Sequence, residues 1–201
     1  MNRIIILYPK LFKSYPKFHR KVERIISNLG QVVLVCPNDF NGFIERMSSE
    51  HQLITEVELC NDWCTADITH AIIFDDGEEF STEKEKIQIN DIPIRYISIL
   101  ITRVININDE ADYKSVKSTP DYEYIGRGSY WGNPYSMYED GEEREEVIRK
   151  FKYDFDYEKF PKKDKKEVYK LTGKRLGCFC KPQACHGDVL ADYLNSYDDG
   201  K

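Results

Sequence analysis

Four side chains that commonly bind metals lie close together near the end of the sequence: Cys178, Cys180, Cys185 and His186. Thiolate and imidazole groups are preferred ligands of Zn²⁺, and four of them complete its tetrahedral coordination. Zinc is therefore the cofactor that this cluster indicates. The spacing differs from that of a zinc finger, and adjacent residues such as Cys185 and His186 often point apart. We therefore rank the three cysteines above His186 as ligands.

Two other interpretations of the cluster stay open on the sequence alone. If Cys185 and His186 lie at the N-terminus of a helix, the helix dipole stabilises a thiolate, and either residue can act in catalysis without a metal. In the third interpretation, the cysteines are buried small hydrophobic residues and His186 is structural. Where the site is catalytic, we expect His186 and Asp188 to form its acid–base pair.

A glycine-rich segment earlier in the chain carries a second set of candidate residues. Glycines allow backbone N–H groups to turn towards an anion, and Arg127 offers a planar guanidinium that pairs with phosphate or carboxylate. Trp131 offers a flat face for a base or a sugar, and Asn133 is held extended by the following proline, which makes it a candidate catalytic residue. The predicted ligand-binding residues are Arg127, Gly128, Ser129, Trp131, Gly132 and Asn133. The structural alternative is a tight hairpin that a buried Trp131 anchors.

The elements that position these residues follow from the hydrophobic pattern. In the first half, β-branched runs alternate with helical spacing of apolar residues, which predicts a parallel sheet with helices on both faces. The predicted strands are residues 3–8, 31–36, 53–59, 70–74 and 94–99, and the predicted helices follow Ser14, Asn38 or Asp39, and Ser81. In the second half we predict a loop or linker at residues 108–119, a strand at 176–180 and a helix at 186–194. Each set of candidate residues is too small for a site, so we expect the two sets to meet in space.

The composition excludes several classes of protein. The net charge of −6 argues against a protein that coats duplex DNA, because binding to phosphates needs a basic face. No apolar run is long enough for a transmembrane helix, and the early run at residues 4–8 is too short for a signal peptide, so we expect a cytoplasmic protein. In a reducing compartment the six cysteines are not expected to pair as disulfides, and Cys60 and Cys64 are expected in the core.

Residues 101–195 resemble a family found in bacteria and their phages, the domain of unknown function DUF4326. The resemblance rests on a "TRVINI"-like strand at 102–107, an "IGR…WGNP" block at 125–135, a "REEVI" segment at 144–148 and a "GK.LGC.C.P..CHGD.L" motif at 173–190. Tyr135 stands where the family usually has Phe. The resemblance implies that both sets of candidate residues belong to one domain that carries a site, and it implies no particular reaction.

The first half is similar to the Rossmann-type nucleotide-binding folds of the lysine-decarboxylase-like and DprA-like proteins, most clearly at residues 66–97. Those families carry glycines after the first strand, where they cradle a phosphate. Here the corresponding segment, residues 8–12, contains no glycine. This half is therefore either a degenerate scaffold or one that holds its ligand differently.

We predict an α/β protein, with a Rossmann-like parallel sheet in residues 1–100 and a small α+β domain, packed on it, in residues 101–201. The predicted function is an enzyme that acts on a nucleotide or nucleoside in phage nucleotide or DNA modification, in the host cytoplasm if a phage encodes it. The alternative is a non-catalytic, zinc-stabilised module that binds or sequesters a host factor or small nucleotide. An enzyme should place Arg127, Asn133 and His186 around one concave pocket, whereas a binding module should bury the cysteines and leave no such pocket.

Overall fold

The computed structural model describes residues 1–137, 141 and 143–200, and it divides the chain into two compact units. The first unit comprises Met1–Ile99 together with the C-terminal residues from Ser196 onwards, and the second comprises Leu100–Asn195. Each unit contains a parallel sheet of its own. Among the described residues, no helix is long and apolar enough to cross a membrane.

The first unit is built on a five-stranded sheet in which every neighbouring pair is parallel. Its strands are β1 (Asn2–Leu7), β2 (Val32–Cys36), β3 (Ile54–Leu59), β4 (His70–Asp75) and β5 (Ile94–Ser98). Its helices are α1 (Tyr15–Ile26), α2 (Phe43–Glu50) and α3 (Ser81–Ile89), with a 3-10 turn at Thr65–Asp67. The strand order is β3-β2-β1-β4-β5, so β1 lies at the centre, as its continuous apolar run requires.

Helices cover both faces of this sheet. Phe74 of β4 stacks on Phe18 of α1, with the ring centroids 5.2 Å apart. The preceding residue, Ile73, lies in a core cluster with Ile87 of α3. Successive side chains of a strand point to opposite faces, so α1 and α3 pack on opposite sides of β4. The predicted α/β fold with a Rossmann-like first half is confirmed.

Polar side chains hold the glycine-free segment after β1. The Asn41 side chain donates hydrogen bonds to the carbonyl oxygens of Lys10 (3.1 Å) and Phe12 (2.9 Å). Asp39, one of the two predicted helix caps, accepts hydrogen bonds from the backbone N–H groups of Ile44 and Glu45 at the start of α2. The loops that follow β1 and β2 are thus fastened by side chains rather than by a glycine-rich turn.

The second unit has a three-stranded parallel sheet in the order β6-β8-β7. Its elements are β6 (Arg103–Asn106), β7 (Tyr122–Tyr124), α4 (Arg144–Asp156), β8 (Arg175–Cys178) and α5 (His186–Ser196), with 3-10 helices at Ala111–Tyr113 and Lys165–Leu171. The predicted strand at 176–180 ends at Cys178, so Cys180 lies beyond it. Leu176 of β8 packs in one core with Phe151 and Phe155 of α4 and with Leu190 of α5.

Candidate functional site

Three thiols converge at the carboxyl end of the middle strand of the second unit. Cys178 is the last residue of β8, Cys180 follows in the turn, and Cys185 immediately precedes α5. The sulfur atoms of Cys178 and Cys180 are 3.3 Å apart, and all three sulfurs lie within 4.8 Å of one another. Within residues 1–137, 141 and 143–200, this thiol cluster is the one group of its kind that could hold a metal ion.

The turn that carries Cys185 is fixed by backbone contacts. Asp188 accepts a hydrogen bond from the backbone N–H of Cys185 (2.8 Å) and another from the Lys181 ammonium (2.5 Å). The backbone N–H of Gly187 donates to the Cys185 sulfur at 3.1 Å. A Cβ on Gly187 would lie 2.5 Å from Cδ1 of Ile125, so this position has no room for a side chain. Asp188, predicted as an acid–base residue, thus caps the first turn of α5 and is paired with Lys181.

His186 follows Cys185 in the sequence but does not belong to the thiol cluster. Its side chain is buried, and its Nε2 atom is 2.9 Å from the carbonyl oxygen of Ile125. A carbonyl oxygen only accepts, so Nε2 carries the proton and Nδ1 is the basic atom. Burial lowers the pKa of His186, which favours the neutral ring, although the bond to Ile125 acts in the opposite direction. The ring also packs edge-on against Phe151, with centroids 4.9 Å apart. The described metal-ligand cluster contains the three predicted cysteines without His186.

The three thiols do not ionise independently. Hydrogen bonds from Cys178 and Cys185 lower the pKa of Cys180, and the guanidinium of Arg144 lowers it further. The pKa of Cys178 is raised, first by its bond to Cys180, and the pKa of Cys185 is raised by Cys178 and Cys180. Neighbouring negative charges disfavour one another, so Cys180 is the thiol of the three that ionises most readily.

The glycine-rich segment forms two consecutive turns, which we call the glycine loop (residues 126–132). The backbone N–H of Ser129 donates to the carbonyl of Gly126, and that of Gly132 donates to the carbonyl of Ser129, both at 3.1 Å. Gly128 has a positive φ of 83°, a conformation that side-chain-bearing residues rarely adopt. A Cβ on Gly132 would lie 2.6 Å from the carbonyl oxygen of Gly126. The glycines are thus required by the geometry of the loop.

Two predicted ligand-binding residues have structural partners. Trp131 is 4% exposed and belongs to the core, where its ring meets Phe155 edge-on. Its burial matches the alternative in which the tryptophan anchors a hairpin. Asn133 donates from Nδ2 to the carbonyl of Val147 (3.1 Å) and accepts at Oδ1 from the backbone N–H of Tyr135 (3.0 Å). Asn133 therefore ties the segment after the glycine loop to α4.

The two sets of candidate residues meet at one cavity of about 460 Å³. From the first set, Arg127 and Asn133 line it, together with the neighbouring Gly126, and from the second, Cys178, Cys180, Cys185 and His186. The remaining predicted site residues do not line it: Gly128, Ser129, Trp131, Gly132 and Asp188.

Two further lining residues, Arg144 and Phe179, were not predicted as site residues. Arg144, the first residue of α4, donates from Nη1 to the carbonyl of Ala184 (3.2 Å), and its positive charge lowers the pKa of Cys180. Phe179 stands between two cysteines of the thiol cluster with 57% of its surface exposed. An aromatic residue between two candidate ligands was a usable signal, whereas nothing in the sequence near Arg144 pointed to the cysteines.

Comparisons with known proteins find a matching family model for each half of the chain. The family model of the minimal SLOG domain (mSLOG) matches residues 1–105, which is more than half of the chain. The chain belongs to the minimal SLOG family. SLOG domains have a Rossmann-like, nucleotide-binding fold, in agreement with the five-stranded parallel sheet of the first unit. We refer below to the first unit as the SLOG unit.

The family model of the domain of unknown function DUF4326 matches residues 109–196, which confirms the resemblance described above. We refer to the second unit as the DUF4326 unit. An uncharacterized 12.4 kDa protein in the nrdA-td intergenic region of enterobacteria phage T4 is 43% identical over 72 residues, which are 35% of this chain and 65% of that protein. The chain thus spans just under two thirds of this phage relative. No solved structure gives a significant match.

In the DUF4326 unit, we expect Gly132→Ala to lower the free energy of unfolding by about 1–3 kcal/mol, because the new Cβ would press on a backbone carbonyl that cannot rotate away. Urea denaturation measures this change. Ser129→Ala is the matched control in the same loop. The Ser129 hydroxyl is buried and has no hydrogen-bond partner among the described residues, so its removal should be neutral or slightly stabilising. A Gly132→Ala variant that is as stable as the wild type would contradict the close approach of the two turns.

Proposed function

We propose that this protein is an enzyme that acts on a nucleotide or nucleoside in the cavity of its DUF4326 unit, with zinc as the cofactor. The observation that carries the proposal is the cavity of about 460 Å³ whose wall joins the guanidinium groups of Arg127 and Arg144 to the three thiols. Its size falls within the range of small-molecule sites. We further propose that the reaction belongs to phage nucleotide or DNA modification, since a phage protein is among the relatives.

The lining of the cavity suits the parts of a nucleotide. Guanidinium groups pair with phosphate through two parallel hydrogen bonds, and Arg127 and Arg144 supply two of them. Val147 and Ile148 line an apolar part of the wall, and the exposed ring of Phe179 offers a face on which a base can stack. A nucleotide-type ligand also agrees with the nucleotide-binding fold of the SLOG unit.

An enzyme is favoured over a binding module by the position of the reactive groups. Cys178 and Cys185 are buried in the core, yet all three cysteines line the cavity, and Cys180 is partly exposed. Arg127, Asn133 and His186 surround the same cavity, which is the arrangement expected of an enzyme in the sequence analysis. Asn133 and Nε2 of His186 are engaged by backbone groups, so we assign them to positioning and leave Nδ1 of His186 as a candidate base.

The test of the proposal is incubation of the purified full-length chain with a panel of ribo- and deoxyribonucleotides and nucleosides. Binding is followed by calorimetry and conversion by mass spectrometry. We expect at least one member of the panel to bind and to be converted, and we expect Cys180→Ser to abolish conversion. Binding without conversion under any metal condition would favour the alternative, a non-catalytic module that sequesters a small nucleotide.

For the same panel, we expect Arg127→Lys to weaken nucleotide binding about 10-fold, because a lysine keeps the charge but loses the bidentate pairing. The matched control is Arg149→Lys on α4, where the guanidinium pairs with Glu146 and does not line the cavity. This control should bind as the wild type does. Equal affinity of wild type and Arg127→Lys would remove Arg127 from the proposed phosphate site.

A further inference from the structure

We propose that Cys178, Cys180 and Cys185 bind a single thiophilic divalent metal through three thiolates and that its fourth coordination position opens into the cavity. The proposal excludes His186 from the ligands, although it is adjacent in sequence to one of them. It rests on the proposed function only in one respect, namely that the open position receives water or a donor atom of the substrate. The metal site itself stands on the geometry of the thiol cluster.

The spacing of the sulfur atoms suits a tetrahedral ion. Zn–S bonds of about 2.3 Å in a tetrahedral site place the sulfurs roughly 3.8 Å apart. The Cys178–Cys180 separation is 3.3 Å, and no sulfur in the cluster is farther than 4.8 Å from another. The three ligands come from a strand end, a turn and the residue before a helix, which are separately held in the fold. Small rotations of the side chains therefore suffice to complete three bonds.

Groups around the thiols are arranged to support thiolates. The backbone N–H of Gly187 points at the Cys185 sulfur from 3.1 Å, and the Asp188 carboxylate fixes the backbone N–H of Cys185. At Gly187 a Cβ would lie 3.2 Å from that sulfur, so a larger residue would disturb the approach. Outer groups that orient metal ligands in this way are a regular part of metal sites.

Charge balance gives Arg144 a role in the site. A divalent ion with three thiolates carries a net charge of −1, which is unfavourable in a partly buried place unless a cation is near. The Arg144 guanidinium donates to the carbonyl of Ala184, the residue before Cys185, and Arg144 lines the same cavity as the three cysteines. Arg144 thus offsets the charge of the site from the cavity side.

The fourth position is directed to the cavity because, among the described residues, no fourth ligand joins the three sulfurs and all three cysteines line the cavity. Nε2 of His186 is engaged by the carbonyl of Ile125, 61 residues away in sequence, and the described cluster does not bring its other nitrogen among the sulfurs. All three cysteines line the cavity. Three protein ligands with an open position are the arrangement of catalytic rather than structural zinc sites.

The experiment uses the full chain, stripped of metal and then loaded with Zn²⁺ or Co²⁺. We expect one equivalent of zinc per chain and an X-ray absorption spectrum with three sulfur ligands and one lighter atom. The Co²⁺ form should show the strong visible absorption of a tetrahedral thiolate site, and added imidazole should shift it by entering the open position. A loaded protein with fewer than three sulfur ligands, or a Co²⁺ spectrum unaffected by imidazole, would overturn the proposal.

Variants separate the ligands from their neighbours. Cys178→Ser, Cys180→Ser and Cys185→Ser should each weaken zinc binding at least ~100-fold, since even supporting residues account for factors of this order. Cys60→Ser and Cys64→Ser, which remove thiols outside the cluster, should retain full zinc content. Arg144→Met should weaken zinc binding roughly 10-fold. Unchanged zinc affinity in all three cluster variants would overturn the site.

His186→Gln keeps a side-chain N–H donor for Ile125 and should retain both zinc and the Co²⁺ spectrum. Two results together would contradict this assignment: loss of metal from His186→Gln, and one nitrogen ligand in the X-ray absorption spectrum of the wild type. They would make His186 the fourth ligand and leave no open coordination position. The proposed function can fail separately. Suppose that the chain binds the metal with an open position but neither binds nor converts any nucleotide or nucleoside. The metal site would then stand, and the proposed nucleotide substrate would be wrong.

Discussion

Removal of the metal by a chelator is expected to destabilise the DUF4326 unit by up to about 10 kcal/mol, because a metal that binds only the folded site contributes its binding energy to folding. Cys178 and Cys185 are part of the same core as Ile125, Phe151 and Leu190, so loss of the ion leaves crowded thiols inside that core. The thermal unfolding midpoint should fall on chelation and return when zinc is added back.

Hydrogen exchange measured by mass spectrometry locates the effect along the chain. Peptides that cover β8 and α5 should lose protection on chelation, and peptides from β1 and β2 of the SLOG unit provide the internal reference. The double variant Cys60→Ser/Cys64→Ser should respond to the chelator as the wild type does. Unchanged exchange in β8 and α5 would show that the thiol cluster does not couple a metal to folding.

The sequence was sufficient for features that depend on local pattern. The β-branched runs in β1, β2 and β4 predict buried strands, and the helical spacing of Phe18, Val22 and Ile26 matches the buried face of α1. Each of these patterns shows which side of a strand or helix is apolar. Strand patterns and helix patterns alternate along the chain, and this alternation predicts the parallel sheet. The meeting of the glycine loop with the thiol cluster at one cavity was also expected, since neither is large enough alone.

The roles of individual polar residues could not be predicted because they depend on partners distant in sequence. Residue type alone made His186 and Asp188 an acid–base pair, yet one is bound to Ile125 and the other caps α5 and pairs with Lys181. Arg144 reaches the thiol cluster only because α4 packs beside β8, a contact that no local pattern encodes. The predicted strand at 176–180 was too long, since β8 ends at Cys178 and the turn that follows brings the sulfurs of Cys178 and Cys180 together.

Trp131→Ala is expected to lower the free energy of unfolding by about 3–5 kcal/mol, the range for truncation of a large buried aromatic side chain. The indole is 4% exposed and contributes to the core that includes Phe155 and Leu171, so its removal leaves a cavity that the surrounding helices cannot fill. Trp131→Phe should recover most of this loss, because a ring remains in the core. Urea denaturation of the three proteins measures the difference.

Unfolding and nucleotide affinity, measured on variants of Trp131 and Phe179, show which of the two rings a base stacks on. Phe179 is 57% exposed and lines the cavity, so Phe179→Ala should change the free energy of unfolding by no more than about 0.5 kcal/mol. Its nucleotide affinity should nevertheless fall, since stacking of a base on an aromatic ring contributes about 1–3 kcal/mol. A Trp131→Phe variant that is fully stable but no longer binds nucleotides would contradict this division and return Trp131 to the ligand site. Loss of affinity in Phe179→Ala alone would place the base beside the thiol cluster, within reach of the open metal position.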